Sequence, residues 1–296
     1  MIGQALAKNG RRIVNNWNSA IAQAHSGDVL VPITTNCASF VQKIFSNATQ
    51  RNLDSIRKQQ DFVAFAAGNV SVSAVDVVDL TQEGGKIFIT MPYIEGVSGE
   101  AFATYGDIGV SKVLRSALDE LLAVEFRKSE VKLIPVTAFR EKIEEIAAKI
   151  NVARFAQFGE KITRSLQKFD GFIEMPVGPC HGDLTLSNII VSRHFGVKLI
   201  DFLATFSESP LQDVSKIIQD YRYGWSFRYL PTPLKIKGQI FMRNSMPNYV
   251  EEARSRFREA IDLFVCLTLY RIAPYLKDEV TEAWLLKSLS ESVELI

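Results

Sequence analysis

Residues Cys180–Asp201 read C-H-G-D-L-T-L-S-N-I-I-V-S-R-H-F-G-V-K-L-I-D. Asp183 stands five residues before Asn188, and Asp201 closes the second of two short apolar runs. Those runs, Ile189–Val191 and Val197–Ile200, flank the polar Ser192–Gly196 and predict a hairpin. Two carboxylates and an amide in this order suit phosphoryl transfer. One Asp accepts the proton of an acceptor hydroxyl, while the Asn and the other Asp hold Mg²⁺ on a nucleotide's phosphates. On this reading Asn188 is a metal ligand, and Asp183 and Asp201 divide the roles of catalytic base and second metal ligand between them.

Downstream, Leu211–Tyr223 has helical spacing and Gly224 placed to end it. Pro231, Pro233 and Pro247 mark an irregular region, and Tyr249–Leu276 and Val280–Val293 predict closing helices. Upstream, Val110–Arg127 and one or two segments within Val136–Phe169 also predict helices. Before Met91 the character differs. Val29–Ile33 predicts a strand that Pro32 confines to an edge, and Ser39–Phe45 a second strand. In that strand Val41, Lys43 and Phe45 share one face. Leu53–Ala67 predicts a helix stopped by Gly68-Asn69, and Val70–Leu80 and Lys86–Met91 two strands around Gln82–Gly85. Met1–His25 predicts an amphipathic helix broken by Ser26-Gly27-Asp28. The sum is α+β in two lobes, residues 1–95 small and strand-rich, residues 96–296 larger and mainly helical.

Composition excludes other classes. The 296 residues are 47% apolar and 23% charged, with formal net charge +1, which points to no polyanion or nucleic-acid partner. Cys37, Cys180 and Cys266 form no C-x-x-C pair, so neither a disulfide framework nor a zinc site is expected, and a reducing cytoplasm is. The basic Met1–Val14 lacks the apolar core of a signal peptide. Ala260–Tyr270 is too short to span a bilayer.

H-G-D-L-T-L-S-N (His181–Asn188) followed by L-I-D-F (Leu199–Phe202) resembles the catalytic loop and metal segment of the aminoglycoside phosphotransferase/choline kinase family. Gly182 replaces the Arg of protein kinases, and Leu203 the Gly after Asp201-Phe202, as in small-molecule kinases. The resemblance implies a two-lobed protein-kinase-like fold and transfer of a phosphate from ATP with Mg²⁺. It implies that Asp183 is the catalytic base and Asn188 and Asp201 the metal ligands, and it counts His181 in the catalytic loop, holding the loop by hydrogen bonds. Asp213 would brace that loop from a helix start. Lys43 would reach the α/β-phosphates, and Thr34–Ser39 would stand where a phosphate loop belongs. The helical Glu that usually holds such a lysine is missing, and Gln59 is the expected replacement. Met91, Pro92, Tyr93 and Ile94 would form the interlobe hinge around adenine.

The acceptor is expected to be a hydroxyl of a small metabolite: a sugar, an amino alcohol or a cell-surface glycan precursor. The aromatic Asp220–Leu230 segment offers either a cation-binding pocket or core packing. No acidic patch for a polycationic drug follows Asp201. The alternative, suggested by the missing Glu, is a catalytically silent nucleotide-binding module.

Overall fold

Proline cannot donate to a β-ladder, so Pro32 requires an edge, and it has one. Strand β1 (Val29–Thr34) borders a four-stranded antiparallel sheet of order β1-β2-β6-β5, with β2 at Ser39–Phe45, β5 at Asp79–Glu83 and β6 at Lys86–Pro92. The computed structural model describes residues 28–35, 38–106, 108–192 and 196–296, so the helix expected over Met1–His25 lies outside the described residues. Alternation in β2 buries Lys43 and Phe45 together, as expected.

Helix α1 (Gln50–Gln60) starts where the Thr49 side chain accepts from Asn52 N–H. It is shorter than the expected Leu53–Ala67. Phe65–Ala67 is instead strand β3, which turns through Gly68 (φ 60°) into β4 (Val70–Ala74). The Gly68-Asn69 pair is thus a hairpin turn, not a helix stop, and the aromatic Phe65 suits the pleat it enters. The single strand expected over Val70–Leu80 is two, β4 and β5, in different sheets. Leu53 and Ile56 of α1 pack with Phe45, Val75, Ile87, Ile89 and Met91 in a small core.

A second sheet has the order β3-β4-β11-β10-β7, with β7 at Gly96–Ser98, β10 at Ile189–Ser192 and β11 at Val197–Leu199. The expected β10–β11 hairpin forms, and β4 lies parallel to β11. Strands from residues 65–74 therefore complete the sheet that presents Asn188 and Asp201.

The rest is mainly helical: α2 (Gly99–Tyr105), α3 (Ile108–Arg127), α4 (Val136–Ala147), α5 (Ala156–Ser165), α6 (Pro210–Tyr221), α7 (Thr232–Ser245), α8 (Asn248–Tyr270) and α9 (Glu279–Val293). The region expected to be irregular contains α7. Its prolines mark helix starts, because Pro233 stands in the first turn, where a missing N–H loses no bond, and Pro247 caps α8. A ribbon of β8 (Glu130–Pro135) and β9 (Phe172–Val177) was not anticipated. Helix α6 runs through the large core with every residue from Pro210 to Asp220 buried. Among the described residues no helix is long and apolar enough to cross a membrane.

Candidate active site

The loop after Cys180 folds against the start of α6. Asp213, fully buried, accepts from the backbone N–H groups of His181 and Gly182. Glu125 of α3 is buried close enough to Asp213 for the two carboxyls to interact. Burial first, and then the neighbouring Asp213 charge, push the Glu125 carboxyl well above its usual range. Gly182 has φ 87°, and a Cβ there would collide with the Leu203 carbonyl oxygen. The Gly of H-G-D is therefore required by backbone and space together.

His181 is fully buried. Its Nδ1 accepts from Asp183 N–H at 3.2 Å, so Nε2 carries the hydrogen that it donates to Ile200 O at 2.8 Å. Burial lowers its pKa and keeps the ring neutral. Both nitrogens are spent on loop backbone. These bonds are of the kind expected of a histidine that holds the loop, and they tie His181 to the backbone of Asp183 and of the Asp201 segment.

Asp183 keeps 31% of its side chain exposed and pairs through Oδ1 with Lys216 Nζ at 2.8 Å. Burial alone would raise its pKa, but Lys216 and Arg271 hold the carboxyl at about 2. Asn188 Nδ2 donates to Asp183 O at 2.8 Å and to Oδ2 at 3.0 Å. The amide's donor side is thereby committed, which leaves its carbonyl oxygen as the acceptor.

Asp201 lies two residues past the end of β11 with φ 60°, the one positive φ among described non-glycine residues. Such a conformation costs on the order of 1 kcal/mol and needs support from its surroundings. Ile200 N–H donates to Asn188 O at 3.1 Å and Leu203 N–H to His181 O at 2.9 Å, one on each side of it. Asp201 Oδ1 accepts from Lys43 Nζ at 3.1 Å. Lys43 also pairs with Asp28 at 3.5 Å and lies 4.8 Å from the Phe45 ring centre. The hard oxygens of Asp201 and Asn188 suit Mg²⁺, which completes its shell with water and phosphate oxygens.

Gln59 does not hold Lys43, contrary to expectation. Its buried amide donates to Val75 O at 2.8 Å and approaches Met91 Sδ at 3.4 Å, so it ties α1 to β6. Besides Asp201, the carboxylate paired with Lys43 is Asp28, which in sequence reads only as part of a helix break. Helix α1 instead grips the segment after Asp201. Arg51 Nε donates to Ala204 O, Ser55 Oγ accepts from Ala204 N–H, and Lys58 Nζ donates to Leu203 O and pairs with Glu208. Lys216, Lys58, Asp28 and Glu125 were all missed. A lysine three residues after Asp213 on a helix was the one available signal, for Lys216.

The other expected residues fall as follows. Met91 is buried, Pro92 ends β6, and Tyr93 N–H donates to Ser39 O, so Met91–Ile94 leads from the small core towards β7. At Thr35–Ala38 the described N–H groups close a turn on itself: Thr35 N–H donates to Ala38 O, and Ala38 N–H to Thr35 Oγ1. Asp220 is buried and accepts from Leu186 N–H and Ser226 N–H, in keeping with the core-packing alternative for its segment. It is a second brace of the loop.

A family model described as the phosphotransferase enzyme family matches residues 19–241. No curated protein sequence matches the chain. Among solved structures, a thermostable mutant of aminoglycoside phosphotransferase APH(4)-Ia in apo form is similar, with TM-score 0.60, 14% identity and coverage of 99% of this chain and 98% of that one. A ternary complex of such a mutant with ADP and hygromycin B has TM-score 0.59 and 15% identity over 90% of each chain. A glucosamine kinase has TM-score 0.52 and 12% identity, covering 99% of this chain and 82% of that one. At these identities the likeness carries the fold, which is the protein-kinase-like α+β fold expected. Because the family model spans residues 19–241 of 296, the chain belongs to the phosphotransferase enzyme family.

Proposed function

We propose that the protein transfers the γ-phosphate of ATP, with Mg²⁺, to a hydroxyl of a small metabolite. The observation that carries this is one connected polar network. Asn188 Nδ2 lies 3.0 Å from the Asp183 carboxylate, and Lys43 Nζ lies 3.1 Å from Asp201, with Asn188 and Asp201 linked by Ile200 N–H to Asn188 O. Family membership supports small-molecule phosphotransfer, and the ADP complex named above supports a nucleotide donor.

In this reading the acceptor hydroxyl donates to Asp183, which aligns its oxygen with the γ-phosphorus. As that oxygen bonds to phosphorus, the bond to the β,γ-bridging oxygen breaks and the hydroxyl proton passes to Asp183. A carboxyl held at about 2 is a weak base, so most of its contribution is alignment. Lys43 neutralises phosphate charge, and Met91–Ile94 faces the adenine. Bound Mg²⁺, held by Asn188 and Asp201, would neutralise charge on the β- and γ-phosphates. The tie between α1 and Leu203–Ala204 substitutes for the missing Lys–Glu pair, which favours an enzyme over a silent module.

Two measurements test this: thermal melting with ATP, with and without Mg²⁺, and a mass-spectrometric phosphorylation screen over sugars, amino alcohols and nucleosides. Mg²⁺-dependent stabilisation by ATP is expected, abolished in Asp201→Ala, together with a product one phosphate heavier. No Mg²⁺-dependent ATP effect and no phosphorylated acceptor would overturn the proposal.

A further inference from the structure

The ribbon of β8 and β9 has one anchored strand and one bare one. Strand β9 buries Ile173 and Met175, and Pro176 O accepts from Ser209 Oγ at 2.6 Å. In β8 every residue from Glu130 to Leu133 is exposed, so none of the described residues covers that stretch.

The register decides which backbone groups of β8 face outward. Its pairs run from Glu130 opposite Val177 to Pro135 opposite Phe172, and Val136 N–H extends the ladder to Gly171 O at 3.0 Å. Hydrogen-bonded pairs alternate along an antiparallel ladder, so Ile134, Lys132 and Glu130 bond to β9. Val131 and Leu133 therefore turn N–H and C=O to the open edge. Such an edge is a template for another strand, and chains blunt it with proline, bulges or charge. Here Pro135 stands only at the end of the strand. The pleat also puts Val131, Leu133 and Phe172 on one face of the ribbon, and they are 49%, 63% and 52% exposed.

Charge selects the occupant. Strand β8 reads E-V-K-L-I-P, with Glu130 and Lys132 on the opposite face and 3.2 Å apart. Set against a second β8 running antiparallel, this pattern matches itself. With Val131 on the axis, Glu130 of each copy lies opposite Lys132 of the other. Val131 then exchanges both backbone bonds with its own copy. Leu133 N–H meets the carbonyl of Ser129, a residue whose N–H is already given to Phe126 O. With Lys132 on the axis, the two ammonium groups would meet. With Leu133 on the axis, Val131 would face Pro135, which has no N–H to give. Opposite charges across neighbouring strands stabilise a sheet, and like charges oppose it.

We propose that two copies of the chain join through their β8 edges, antiparallel about a two-fold axis at Val131, with Glu130 of each facing Lys132 of the other. The two ribbons then form one continuous sheet, and the interface is isologous, as a closed dimer requires.

Sedimentation equilibrium of the full chain over a wide concentration range tests this. The mass should rise from that of one chain to that of two. Val131→Pro removes an outward N–H and no bond of the β8–β9 ladder, and it should leave the mass of one chain throughout. Lys132→Glu and, separately, Glu130→Lys set like charges opposite each other and should weaken association about tenfold. The double exchange Glu130→Lys with Lys132→Glu restores opposite pairs and should restore association, as should mixing the two single variants. Both positions are exposed, so these variants keep the experiment informative if Val131→Pro fails to fold. A one-chain mass for the wild type at every concentration would overturn the inference. So would association untouched by Val131→Pro, or a double exchange that associates no better than the single variants.

Discussion

At the scale of single residues, the state of Asp183 is set by Lys216. A partly shielded carboxylate next to a buried ammonium at 2.8 Å stays ionised down to about pH 2. Lys216→Met leaves burial to act with less opposition, so the Asp183 pKa rises. If Asp183 acts ionised as the proposed base, kcat/KM should then fall on the acid side of its pH profile at pH values where the wild type is still flat. Nucleotide affinity should stay unchanged; a kcat/KM profile matching the wild type would contradict the pairing. Glu125 gives a second prediction. Its folded pKa lies above the unfolded one, so the native state holds an extra proton above about pH 4.5. That stabilisation is complete below the unfolded pKa and is lost as pH rises through the folded one, at up to about 1.4 kcal/mol per pH unit. Denaturant unfolding at pH 5, 6, 7 and 8 should show wild type losing stability relative to Glu125→Gln as pH rises, and parallel curves would exclude a proton on this pair. Asp183, Asn188, Asp201 and Lys43 were legible because a contiguous motif and strand alternation place them. Lys216, Asp28 and Glu125 were not, because they reach the site from segments distant in sequence and only tertiary packing sets their direction.

At the scale of elements, α6 and α1 hold the site from two sides. Asp213, Lys216 and Asp220 lie at i, i+3 and i+7 of α6, and each meets the 181–186 loop. Arg51, Ser55 and Lys58 make the corresponding row on α1, aimed at Leu203–Glu208. Lys58→Met removes both the bond to Leu203 O and the pair with Glu208 at 2.5 Å. With Glu208 over a third exposed, the expected loss of stability is about 1 kcal/mol. The larger expected effect is a rise in KM for Mg²⁺·ATP, because the Asp201 segment loses its anchor; steady-state kinetics at saturating acceptor would check it, and an unchanged KM would refute the anchoring role. Long periodic helices such as α3, α6 and α9 were legible. Phe65–Ala67 was not, because three apolar residues after a helix fit either period and the partner strand decides. Prolines at 231, 233 and 247 suggested irregularity, since a proline that starts a helix and one that breaks it look alike until the following turns are seen.

At the scale of the whole molecule, the described residues form two apolar cores. The small one comprises residues from β2, α1 and β6, and the large one surrounds α6 and α8. We propose the division near residue 95, where β6 has ended and β7 joins the sheet of β10 and β11. Strands β3 and β4 cross that division, because β4 pairs with β11. Their alignment therefore couples the small lobe to Asn188 and Asp201. A general two-lobed plan was legible from the change in character after Met91; this cross-lobe pairing was not, because a parallel neighbour distant in sequence leaves no local trace.

The central claim, that Asp183 serves transfer and not nucleotide binding, is tested most directly by single-turnover phosphate transfer from ATP in Asp183→Asn, with AMP-PNP affinity measured on the same protein. Transfer should fall by roughly 10²–10⁴-fold while nucleotide affinity stays close to that of the wild type. Transfer near the wild-type rate, or loss of nucleotide binding along with it, would contradict the account.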